Sequence, residues 1–227
     1  MTQQKIIDKM TQQNVYTKSE LQSLSIEEQT SLFDDLLRKT NRQNIENLIS
    51  WLHGTDFYTS PASTNGVSNY SGGLLYHSLS VYNILLGLYE SLSKFDEGNN
   101  KDEFDDNSII LVSLLHDICL MQSFVPVEKR KMVGGAWVTV SSYDYYDQFP
   151  IGHGEKSLLF ISMNCVYLSR EEMLAIRWHG GPNSLSESEL PTYYSALKSS
   201  KLTRLLVTSI DLCRSYMEEN REFEIKR

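Results

Sequence analysis

Cysteine is scarce in this chain, and its pattern closes off two classes at once. The three that occur, Cys119, Cys165 and Cys213, are odd in number and follow no CxxC spacing, so neither a disulfide framework nor a zinc knuckle is expected. Cys119 and Cys213 read instead as buried thiols packing the backs of helices, the common fate of free cysteine. Long apolar runs are missing too. The longest candidates are short stretches such as Ile109-Ile110-Leu111-Val112, far from the ~20 residues of a membrane span. The first residues, Met1-Thr2-Gln3-Gln4-Lys5, lack the apolar core of a signal peptide, so a soluble, cytoplasmic protein is expected. Basic charge is in deficit, with 21 Lys and Arg against 29 Asp and Glu and a net charge of -8. That balance argues against a protein gripping an extended nucleic-acid duplex through a basic face. It leaves room for a small phosphorylated substrate or a chain end, because bound cations supply positive field locally.

The 227 residues suffice for one domain with a sizeable core, and their pattern predicts an all-α fold with one small β-hairpin. Ser25-Ile26-Glu27-Glu28 is a capping box opening an amphipathic segment that buries Leu32, Phe33, Leu36 and Leu37. A second helix is expected from 44 to 53, stopped by Gly54, which makes 1–43 a helical extension on a main domain of 44–217. A Ser-, Thr-, Asn- and Gly-rich loop from 55 to 73 delivers the chain to a helix starting at Gly72-Gly73. Residues 99–106 form a polar, acidic insert read as a solvated helix connection. The nearly continuous apolar sequence at 109–115 predicts a helix buried at the domain centre. The alternation around Gly134-Gly135, within 127–146, predicts the hairpin. Ser169-Arg170-Glu171-Glu172 is a second capping box, and 201–216 a last amphipathic helix, followed by a charged tail at 218–227.

Histidine is the other scarce residue. Of five, four fall with two aspartates into an ordered series: His77, His116-Asp117, His153, His179 and Asp211. Imidazole and carboxylate hold borderline and hard divalent cations. Every member lies on or at the end of a predicted helix, so convergence needs only that helix ends meet at one centre. Successive helix residues differ by about 100° in direction, so His116 and Asp117 cannot face one ion identically, and Asp117 is suited to bridge two. Two cations about 3.5–4 Å apart are then expected. His77, His116, Asp117 and Asp211 would hold one, and Asp117, His153 and His179 the other. A donor set of nitrogen and oxygen points to Mn, Fe, Co, Ni or Mg. The fifth histidine, His53, just before Gly54, reads as a packed, hydrogen-bonded core residue.

These residues sit in stretches that resemble a known family. DFYTSPAST at 56–64, GGLLYHSL at 72–79, LLHDIC at 114–119, FPIGHGEKS at 149–157 and AIRWHG at 175–180 are similar to the HD-domain phosphohydrolases. The likeness is greatest to the small HD proteins common in Firmicutes and their phages, and extends distantly to the HD domain of bacterial 3′-to-5′ exoribonucleases. It spans 44 to 217 and implies a helical HD core that hydrolyses a phosphoester of a nucleotide or nucleic-acid end by metal-activated water. For a phage-encoded member the compartment would be the host cytoplasm. One position departs from the pattern. Many such proteins carry a lysine three residues after the HD aspartate, and here that residue is Leu120. Lys156, three after His153, is the expected replacement on substrate phosphate, with Asp117 the other catalytic residue; Arg204 is a weaker phosphate candidate and Arg177 a structural partner. Leu120 also motivates a reading from another class, a catalytically weak module that binds nucleotide or metal as a sensor. A nuclease component is a third reading, disfavoured by the charge balance.

Overall fold

The structure, a computed structural model, describes residues 15–64, 66–95 and 104–218. The N-terminal residues 1–14, most of the acidic insert at 99–106 and the tail after Glu218 lie outside the described residues. Nine α-helices occur among the described residues: α1 (Lys18–Gln22), α2 (Ile26–Lys39), α3 (Ile45–His53), α4 (Gly73–Ser93), α5 (Asp106–Leu115), α6 (His153–Met163), α7 (Arg170–Trp178), α8 (Leu190–Ser199) and α9 (Lys201–Tyr216). A single antiparallel pair, β1 (Phe124–Val133) and β2 (Ala136–Tyr145), completes a mostly helical fold with one hairpin. None of the described helices is long and apolar enough to cross a membrane.

Capping chemistry sets most helix starts. Ser25 and Ser169 each accept from the backbone three residues on, and Glu28 and Glu172 return the bond, as the sequence predicted. Thr17 with Glu20 makes a third such box and opens α1, which the sequence reading had passed over. The hairpin turns through Gly134 (φ 58°) and Gly135 (φ 85°), a pair of left-handed residues that suits a two-residue turn between twisted strands.

α5 is buried on every side from Ser108 to Leu115, and α4 is buried continuously from Gly73 to Asn83. Helices apolar all round belong at the centre. α5 accordingly packs against α2, α4, α7 and α9, and α4 against α2, α5 and α9. Within the segment read as an extension, Tyr16, Leu21, Leu24 and Phe33 join the same apolar cluster as α3, α4 and α5. The predicted loop before α4 folds back on itself. Leu74 N–H donates to Ser60 O at 3.0 Å and Gly72 N–H to Thr59 O at 3.0 Å, while Asp56 accepts from Gln122 N–H at 2.7 Å. α4 begins against this loop so closely that a Cβ on Gly73 would lie 2.1 Å from Ser68 O.

One buried carboxylate ties three segments together. The Glu172 side chain, 0 % exposed, accepts from Ser108 Oγ–H of α5 at 2.7 Å, from Ser169 N–H at 2.7 Å, and pairs with Arg42. Arg42 is 20 % exposed and also donates to Tyr167 O at 3.2 Å. Removing the acid leaves a partly buried guanidinium without its charge partner and takes from Ser108 Oγ–H the shorter of its two acceptors, the other being Asp105 Oδ1 at 3.1 Å. Glu172→Ala is expected to destabilise the fold by about 3 kcal/mol, the lower end of what breaking a buried pair costs, because water reaches Arg42. Ser169→Ala, which removes only the cap, should cost about 1 kcal/mol. Urea unfolding of both variants checks the order; equal losses would contradict it.

Candidate metal centre

Helix ends deliver the ordered histidines to one carboxylate. His116 caps the C-terminus of α5, His179 caps that of α7, His153 is the first residue of α6, and His77 lies one turn into α4. Asp117 follows His116 with φ −108° and ψ 16°, outside the helix, and this turn separates the two side chains. Its Oδ1 lies 2.7 Å from His153 Nε2 and 2.9 Å from His179 Nε2. Its Oδ2 lies 3.4 Å from both His77 Nε2 and His116 Nε2. Four imidazoles therefore present the same ring nitrogen to the two oxygens of one acid, in two pairs. His77, His116, His179 and Asp117 are all buried, and His153, with 41 % of its side chain exposed, opens the cluster to solvent.

The outer ring nitrogens explain why Nε2 faces inward. His116 Nδ1–H donates to Ser113 O at 2.8 Å, and His179 Nδ1–H to Ile176 O at 2.6 Å. Each uses a carbonyl three residues back, one of those a helix end leaves free. With Nδ1 committed as a donor, Nε2 carries the lone pair that coordinates a cation. His77 Nδ1 pairs with Glu218, and His153 Nδ1 lies 3.2 Å from Cys119 Sγ.

Electrostatics follow from burial around one charge. Burial pushes the His116 pKa down to about 4, outweighing Asp117, so this ring stays neutral as a ligand must. Burial also opposes the charged form of His77, but its hydrogen bonds with Asp117, Cys213 and Glu218 prevail and hold its pKa well above the ordinary value. Burial opposes His153 likewise; Asp117 and Cys119 outweigh it and raise the pKa to about 11. Asp117, despite burial that favours its neutral form, is held well below the carboxylate range by the surrounding imidazoles. The raised pKa values of His77 and His153 thus favour the charged form of each beside the Asp117 carboxylate. The donor set fits a metal ion: His179 Nε2 and Asp117 Oδ1 both offer lone pairs 2.9 Å apart, an arrangement that requires a proton or a cation between them. Among the described residues, groupings able to hold one are the buried His77–His116–Asp117 and His77–Cys213–Glu218, and Asp117–Cys119–His153, whose histidine is exposed.

Two expected site residues are elsewhere. Asp211 is exposed on α9 and belongs to none of these groupings. The buried stripe of α9 runs through Leu202, Leu206, Ile210 and Cys213, and Asp211, one step past Ile210, falls about 100° off it. Lys156 is buried, but its ammonium donates to Asp147 Oδ1 at 2.6 Å and reaches Ser123 Oγ at 3.5 Å. Its charge is already matched, and the proximity to His153 in sequence does not bring Nζ into the imidazole cluster. Arg177 is a structural partner, bonded to Glu155 at 2.5 Å and Glu189 at 2.9 Å. Arg204 lines an apolar groove of about 390 Å³ with Leu88, Tyr89 and Leu205. His53 is not a core residue: its side chain is 48 % exposed and bonds buried Asp34 at 2.8 Å. Leu120 is buried.

The sequence reading missed Glu218 and gave Cys119 and Cys213 no part. Both thiols are buried, as expected, whereas Cys165 is exposed. The α9 stripe could have pointed to Cys213. Nothing marks Glu218 in a run of charged residues.

No family model, curated protein or solved structure matches this chain.

The pairing of His153 with His179 depends on one close approach. A Cβ on Gly154 would sit 2.2 Å from Arg177 O and 2.7 Å from Ile176 O, the carbonyl that orients His179. Gly154→Ala should therefore push α6 off α7, costing about 1–3 kcal/mol of stability and weakening metal uptake. Thermal unfolding with metal analysis checks both, and unchanged uptake would separate α6 placement from the centre.

Proposed function

We propose that this chain is a metal-dependent phosphohydrolase of the HD type, cleaving a phosphoester of a nucleotide or nucleic-acid end. The observation that carries the reading is the convergence of four Nε2 atoms, in two pairs, on the two oxygens of Asp117. His77, His116 and Asp117 Oδ2 would hold one divalent cation, and His153, His179 and Asp117 Oδ1 a second, with Asp117 bridging. Nitrogen and oxygen donors suit Mn, Fe, Co, Ni or Mg. When bound, such ions lower the pKa of water and neutralise charge on phosphoryl oxygens.

The chain's own residues do the rest. Ser113 O and Ile176 O fix the rings of His116 and His179, so little reorganisation accompanies coordination. His153 marks the side from which substrate arrives. Beside it lies a cavity of about 180 Å³, lined by Gly152, Gly154, Arg177, Trp178 and Gly181 among others. That is smaller than the ~300–1,000 Å³ of drug-sized ligand pockets. It favours the phosphorylated end of a substrate over a fully enclosed molecule. Arg177 and Glu155 give its wall both signs of charge.

One observation favours a second reading, a catalytically weak module that senses nucleotide or metal. Leu120 is buried and Lys156 is paired with Asp147, so neither supplies the cation that would hold a substrate phosphate. Metal analysis of the purified protein, coupled to turnover assays with Mn²⁺ across nucleoside phosphates, cyclic dinucleotides and short RNA, separates the two. Turnover is expected on at least one class, and binding without turnover throughout would favour the sensor. Asp117→Ala should abolish metal uptake and turnover together; hydrolysis retained with normal metal content would sink the assignment.

A further inference from the structure

Of the two histidines that meet at Asp117 Oδ2, His116 has its ring fixed by a helix-end carbonyl and His77 does not. His77 sits in α4, with the chain helical on both sides, where backbone carbonyls are taken by the helix itself. Its Nδ1 is met instead by Glu218, 141 residues away in sequence. We infer that Glu218 is the positioning carboxylate of the metal centre, holding His77 so that Nε2 faces Asp117, and that the end of α9 thereby completes the site.

Three features support this. First, Glu218 is held in place. Its N–H donates to Cys213 O at 3.1 Å, the preceding Met217 O accepts from Tyr76 O–H of α4 at 2.9 Å, and Cys213 Sγ–H points to Glu218 Oε1 at 3.3 Å. Tyr76 adjoins His77, so the anchor and the ligand share one turn of α4. Second, the Glu218 side chain is only 2 % exposed, and among the described residues its ion-pair partner is His77. A carboxylate following the last helix would ordinarily turn to solvent, since burying its charge is costly unless it is paired. Third, a carboxylate on the outer nitrogen of a ligating histidine fixes the tautomer and makes the ring a stronger donor. His116 and His179 have neutral carbonyls in that place. The His77–His116 half of the centre should then be the tighter of the two cation positions.

The inference rests on the metal-binding reading above, and the test keeps the two apart. Metal-depleted full-length protein is titrated with Co²⁺, following the visible absorption of the bound ion and competition with a chelator. Glu218→Gln keeps an oxygen of the same reach for Nδ1–H but removes the charge. It is expected to weaken Co²⁺ binding about 10–100-fold and to shift the absorption band. Glu218→Ala should weaken it at least as much. In the wild type, nitrogen-15 NMR of the rings should find His77 Nδ1 protonated, a measurement that needs no variant to fold. Wild-type affinity and spectrum in Glu218→Gln, or a His77 Nδ1 without its proton, overturns the positioning role and leaves the metal centre standing. A wild-type protein that takes up no Co²⁺ overturns the reading beneath it.

Discussion

Asp117 carries its charge where little solvent reaches, and the central helices are arranged around neutralising it. Burial alone would favour the protonated acid, yet the imidazoles of His116, His153 and His179 hold it ionised. The acid in turn helps raise the pKa of His77 and His153, whereas burial lowers that of His116. A centre built this way couples ion binding to stability, since any ligand that prefers the folded arrangement shifts the folding equilibrium toward it. The same burial that makes the acid expensive is what would make a bound ion effective, because fields act strongly where water is excluded.

Helix ends solve the geometric problem. The C-termini of α5 and α7 provide two histidines with matching bonds to the carbonyl three residues back, and the N-terminus of α6 provides a third. The centre is therefore anchored on packed helices rather than on a mobile loop. α5 is buried throughout and touches four other helices, so the element carrying His116 has little freedom to drift. The close contact of Gly154 with the end of α7 then sets the distance between His153 and His179.

Much of this was legible in the sequence, for identifiable reasons. The capping boxes at Ser25 and Ser169, the Gly134-Gly135 turn and the apolar run before His116 are local signals, and each produced the expected element. The histidines were legible because scarcity and order made them conspicuous, and the structure gathers all four at Asp117. α1 had a signal, Thr17 with Glu20, that went unread. α8 has no side-chain cap, and Pro191 in its first turn is a helix-start signal without the usual polar residue before it. Two of the expected residues lie away from the cluster, for different reasons. Asp211 follows the spacing of the series but leaves the buried stripe of α9. Lys156 shares a side of α6 with His153, yet its long side chain finds Asp147. Glu218 was invisible because its role depends on a contact across 141 residues, with nothing periodic to mark it.

The charge balance of the centre bears on how substrate is held. Asp117 and Glu218 bring two buried negative charges, and among the described residues neither pairs with lysine or arginine. With protons on His77 and His153 the centre is close to neutral and has no particular pull on a phosphate. On the proposed function, two divalent ions in place of those protons would make it cationic by about two charges, in a setting where such a charge is felt strongly. A lysine in the place of Leu120 would have attracted phosphate whether or not metal was bound. On the proposed function, its replacement by leucine and the engagement of Lys156 with Asp147 make substrate affinity itself depend on the ions. A chain with a net charge of -8 would then discriminate between its loaded and unloaded states before any chemistry occurs.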